Sequence, residues 1–248
     1  MPVILRVALL LHLLWLGACA STVQITPAQM FEPEQASLMA EQTDLAWWQL
    51  RLKLTWPDDE PADLSTHLLV AEQLVLPSIV AHERQVPLWR IHRRAARDGA
   101  GNQFSLIFYS DDATAAAIRE EIFTNPLTVW LGDQGLIDQT GFEKRTREEL
   151  GLLEQTSDPI WPSEIQRSWP YFIMGASQTW LMLVQEISAS EGLEGNVSYS
   201  ELQAHYRRVD LLLNTQWVDY GQHAYLHHLN AVFGYQPVRI KSSVMRRF

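Results

Sequence analysis

The chain has 248 residues, a formal charge of −10 and 47% apolar residues. That length allows one large domain or two small ones, and that composition excludes a disordered chain. The acidic balance argues against nucleic acid as a partner, and a lone cysteine excludes intrachain disulfides and any zinc site built on several thiolates.

The chain opens MPVILR, VALLLHLLWL, GAC. Arg6 supplies a short positive region, residues 7–16 an apolar run of secretory-signal length, and small residues follow. The run is shorter than the roughly 20 apolar residues a membrane span needs. Leu16-Gly17-Ala18-Cys19 resembles the bacterial lipobox. The resemblance implies cleavage after residue 18, acylation of Cys19, and, with Ala20 rather than Asp next, an outer-membrane anchor facing the periplasm. Removing Arg6 with the signal leaves a mature charge of −11. Several acyl chains on one residue would hold stably where one holds only marginally. Residues 19–43 contain two prolines and no strong periodicity, and read as a lipidated tether.

LAWWQLRLKLTW, 45–56, alternates with period two, the signature of a strand with one apolar face. Residues 63–84 place Leu64, Leu68, Ala71, Val75 and Ile79 at helical spacing, with a kink expected at Pro77. Residues 87–110 read as a hairpin turning at Arg97-Asp98-Gly99-Ala100-Gly101. A helix with an aspartate cap is expected over 111–124, and a short strand over 126–131. The order β-α-β-β-α-β over residues 44–132 is that of the ferredoxin-like fold. Beyond it, 133–248 reads as a mainly helical half, which could form one compact unit with the first. It comprises a charged helix over 142–155, a rigid Trp-Pro loop over 158–170 and an apolar core helix over 171–190. A capping box at Ser198 and Glu201 then opens a long helix to about Phe233, broken near Gly221, and a last strand is expected over 235–244. The fold class is α+β.

Three constellations could carry function. If both helices cover one face of the sheet, Arg51 and Lys53 on the first strand and Arg90, His92 and Arg94 on the second form a basic patch on the other. Arginine forks there suit carboxylate or phosphate. The alternative is that this face is covered and its cations are paired. Asp219, His223 and His227 fall at i, i+4, i+8 of a helix, a spacing that can hold a metal, although no His-Glu-x-x-His is present. The ten tryptophans serve either a packed core or an aromatic groove for sugars or peptides, the segment 161–172 included. No nucleophile elbow, phosphate loop or dinucleotide motif occurs, and Ser177 lies in a helix-like run. Trp89-Arg-Ile-His-Arg, Asp98-Gly-Ala-Gly101 and Gln103-Phe-Ser-Leu-Ile-Phe108 resemble the hairpin of the C-terminal domain of lanthipeptide and thiopeptide dehydratases. That family's histidine-rich second strand is unmatched here, and no function is carried over.

The reading is a membrane-anchored periplasmic lipoprotein of binding or assembly type, without a catalytic motif or cofactor. Its partners would be the membrane, through the anchor, and an envelope protein, with a purely structural subunit as one form of this. The alternative is an enzyme or a metal- or cofactor-binding protein using the His223/His227 helix face or the Arg90/His92/Arg94 sheet face.

Overall fold

The computed structural model describes residues 45–145, 153–193 and 197–237. All belong to one compact unit, residues 42–248. Cys19 and the lipobox, the tether, residues 146–152 of the expected charged helix and the expected strand beyond residue 237 lie outside the described residues.

The period-two stretch forms β1 (Ala46–Leu54). The next helix, α1, spans 65–81 as α-helical Ser65–Val70 and Leu76–Ala81 around a π turn, Ala71–Val75. Pro77 has no N–H for the carbonyl four residues back. The chain widens into the π turn just before it, and the Leu76 N–H bonds the carbonyl of Ala71. The hairpin is β2 (Leu88–Ala95) and β3 (Asn102–Ser110), with Gly101 at φ +64° in its turn. Helix α2 (Asp112–Phe123) is capped by Asp111, whose carboxylate accepts from the Thr114 N–H.

Here the structure departs from the sequence reading. Residues 126–131 are not a strand but part of helix α3 (Pro126–Asp133). Asn125 accepts from the Leu127 N–H and Pro126 presets the first turn, an N-terminal signal that outweighs the strand propensity of Thr-Val-Trp. The fourth strand is β4 (Ile137–Arg145), past the expected boundary at 132. The first residues of the expected charged helix are therefore strand. β4 is an edge strand, where charged side chains are common. Its Phe142 lies opposite Leu50.

The four strands form one antiparallel sheet in the order β2-β3-β1-β4. The register lines up Ile91, Leu106, Leu50 and Phe142 across one face, and Arg93, Phe104, Leu52 and Thr140 in the next row. This face packs under α1 and α2 in a core that includes Leu68, Leu69, Ile118 and Ile122. Helix α4 (Ser163–Ser190) begins inside the expected Trp-Pro loop and runs through Pro170. Pro170 cannot bond the carbonyl of Gln166, and Ser157 Oγ donates to that carbonyl instead, at 2.7 Å. The capping box at Ser198 and Glu201 opens α5 (Tyr199–Gln216). A π-helical stretch, Trp217–His227, and α6 (His228–Val232) continue it without a break at Gly221. α5 packs on α1 and α4. The Tyr206 hydroxyl donates to Glu72 at 2.8 Å and accepts from Gln73 at 2.7 Å, both on the π turn of α1. No helix among the described residues is long and apolar enough to cross a membrane.

His67 sits in the core, with its Nε2 2.8 Å from Asn102 Oδ1. Burial, and then Arg93, pull its imidazole down from the ordinary 6.5 to about 3. Between those values the unfolded chain binds the extra proton, so stability is full above about pH 6.5 and falls as pH drops toward 3. The expected loss from this group between pH 7 and pH 5 is about 2 kcal/mol. Urea titrations at the two pH values should show that loss in the wild type and a smaller one in His67→Asn.

Candidate functional site

The basic residues predicted from alternation do share a face. Across it run the rows Arg90–Ile107–Gln49–Glu143, His92–Ser105–Arg51–Gly141 and Arg94–Gln103–Lys53–Gln139. Most of their charge is already met. Arg51 pairs with Glu143 at 3.3 Å, Lys53 with Asp138 at 3.2 Å, and Arg94 with Asp98. Arg90 donates to Thr156 Oγ1 at 3.1 Å, under the single 3-10 turn Glu154–Thr156 that covers this end of the sheet. Partial burial, and then Arg90, Arg94 and Arg145, hold His92 below its ordinary value. The face is a partly paired, half-covered surface.

The π winding gathers the histidines differently from an α-helix. Bonds five residues apart bring positions i+4 and i+5 both beside position i. His223 stacks on His227 with centroids 4.8 Å apart, and His228 joins edge-on at 5.6 and 5.3 Å from the two. Asp219 is not part of this stack. No group of three potential ligands is positioned to hold a metal among the described residues.

A concave feature lies elsewhere. Past Leu181 and Leu213, where α4 and α5 are in contact with the core, the N-terminal half of α4 and the π stretch part. They leave a groove of about 840 Å³. Its walls include Phe172, Trp180 and Leu183 on one side and Trp217, Tyr220 and Leu229 on the other. Residues 168–185 carry no Asp, Glu, Lys or Arg, and residues 211–237 carry only Asp219. Such runs stand out in a chain with 19% charged residues. The expected core helix thus buries one face, through Ser177, Leu181, Val184 and Ile187, and offers the other to the groove, with Phe172 47% exposed.

Small residues make the room. A Cβ on Gly175 would meet nothing within 4 Å. Gly221 has the opposite role, since a Cβ there would lie 2.7 Å from Cε3 of Trp217. The indole therefore lies close against Gly221, stacked at 14° to Tyr225 with centroids 6.3 Å apart.

One formally charged side chain lines the groove, Arg93. It projects from the helix-covered face of β2, with Trp89 and Ile91, and its guanidinium carbon sits 4.7 Å from the Trp180 ring centroid. Its Nε donates to His67 Nδ1 and one Nη donates to the carbonyl of Leu64, both at 3.3 Å. His67 must then carry its proton on Nε2 and give it to Asn102. The nearest carboxylate, Asp210, is 3.9 Å away. Burial pulls Arg93 down to about 10 and pushes Asp210 up, each partly offset by the charge of the other. The sequence reading missed Arg93, although the alternation that turned Arg90, His92 and Arg94 outward had turned it inward.

Two serines hold this arrangement. Ser177 Oγ accepts the Ile91 N–H on the open edge of β2 at 3.1 Å and donates to the Ile173 carbonyl at 2.8 Å. Ser157 serves the Gln166 carbonyl. Ser177→Ala and Ser157→Ala each strand a buried backbone group, and each should lower the unfolding free energy by about 1–3 kcal/mol. Denaturant midpoints check this, and a change within error at either position would contradict the role given to that serine.

Compared with known proteins, the chain matches no family model, no curated protein and no solved structure.

Proposed function

We propose that this chain is a lipid-anchored protein of the cell envelope whose task is binding, with the groove between α4 and the π stretch as its site. The observation that carries the reading is the groove itself. Its volume falls in the range of small-molecule sites, and its lining is apolar and aromatic around one placed charge, the combination such sites share. The four residues Leu16-Gly17-Ala18-Cys19 support the anchor and, through Ala20 rather than Asp after the cysteine, an outer-membrane position facing the periplasm. The element order β1-α1-β2-β3-α2-α3-β4 and the strand order β2-β3-β1-β4 support a ferredoxin-like scaffold with one inserted helix.

An enzymatic reading has less behind it. Arg51, Lys53 and Arg94 of the basic patch are in ion pairs, the Ser177 hydroxyl is spent on backbone groups, and His223 and His227 lie on an exposed helix.

Two measurements test the proposal. The full chain should sediment with membranes and Cys19→Ala should not; equal sedimentation would remove the anchor. The chain from residue 20 onward, which keeps every described residue, should take up the neutral dye Nile red saturably. Ala224→Trp fills the groove from an exposed position and should weaken uptake about tenfold, equivalent to 1.4 kcal/mol. Dye uptake unchanged by the filling variant would remove the groove as the site.

A further inference from the structure

We propose that the groove takes a single-chain amphiphile with an anionic head, its carboxylate on Arg93 and its acyl chain along the apolar walls. This rests on the reading of the groove as a binding site and names what it binds.

The polar end is set by Arg93. Its Nε and one Nη are occupied by His67 and the Leu64 carbonyl, and Nη1 has no hydrogen-bond partner among the described residues. His67 is neutral and offers only a lone pair, so it supplies no counter-charge. Asp210 approaches at 3.9 Å without a hydrogen bond to the guanidinium. A guanidinium fixed by three neighbours and lining an apolar groove, with Nη1 unused, can donate from that nitrogen to a carboxylate in a charge-assisted hydrogen bond. The Trp180 ring under it keeps the side chain from folding away.

The apolar end is set by what the walls lack. A bound peptide would bring an N–H and a C=O with every residue, each costly to bury unpaired. Asn214, Gln216 and Tyr220 are among the polar side chains that line the groove, but most of its wall is apolar. The Thr179 hydroxyl is spent on the Gly175 carbonyl at 2.9 Å. An acyl chain brings no polar group at all. Gly175, Ala176 and Ala224 on the two helices leave a slot free of bulky side chains, while Phe172, Trp217 and Leu229 supply the apolar contact.

The test uses the full chain in vesicles of neutral phosphatidylcholine, with photoreactive diazirine analogues of palmitate and of hexadecanol, and mass spectrometry of the labelled peptides. The palmitate analogue should label residues 168–185 and 211–232. Unlabelled fatty acids should compete about fourfold better per added methylene until the groove is filled. Arg93→Gln should weaken labelling by the acid at least tenfold and leave the alcohol unchanged. Ala176→Trp does not touch the Arg93 network, and it should block both probes even if Arg93→Gln fails to fold. Equal labelling by acid and alcohol, unaffected by Arg93→Gln, would overturn the carboxylate assignment and leave the groove standing. Labelling of neither helix by either probe would overturn the groove reading itself. Labelling confined to the exposed Phe233 and Tyr235 would point to contact with the bilayer surface and overturn the proposal.

Discussion

The architecture depends on closing an edge. β2 ends the sheet, and an edge strand leaves a row of N–H and C=O groups without partners. Ser177 takes the Ile91 N–H, which fixes α4 alongside that edge instead of over the sheet. α5 then packs into the angle between α4 and α1, tied there by Tyr206 on Glu72 and Gln73. Both helices extend beyond the sheet that organises them. α4 extends at its start, held through Pro170 by Ser157, and α5 extends at its end through the π stretch. What lies between the extensions is the groove.

The same geometry explains why a cation faces an apolar site. Arg93 belongs to the helix-covered side of β2, in the row with Phe104 and Leu52. At an interior strand it would be buried outright. At the edge its guanidinium passes beyond Phe104, meets His67 and the Leu64 carbonyl from α1 and its cap, and ends over Trp180 of α4. Three elements thus hold one charge. That is the preorganisation a binding site needs, and its cost appears as the downward pull on both Arg93 and His67.

Much of the sheet was legible in the sequence. The alternation in 45–56, the glycine turn at 97–101 and the aspartate cap at 111 each gave a local signal with a local cause. The fourth strand was not legible, because β4 is polar and owes its existence to pairing with β1 at Phe142 and Leu50. Nor was the run of α4 through Pro170, whose lost hydrogen bond is replaced by a side chain nine residues earlier. The basic face was read correctly as a shared surface, but the carboxylates that pair it come from β4 and the hairpin turn, beyond the reach of any single-strand pattern. The groove was the least visible. Apolar composition in 171–190 marks a buried helix and a groove wall alike, and only the course of α5 distinguishes them. Arg93 was hidden by attention to outward positions.

The central claim is that the groove is part of the fold, open before any ligand arrives. Spin labels at Phe172 and Leu226, exposed residues on opposite walls, would report the separation of the helices by pulsed electron resonance. A single narrow distance in the unliganded chain, unchanged when palmitate is added, is the result the account predicts. A collapsed distance without ligand, or a broad one with α4 and the π stretch moving independently, would contradict it.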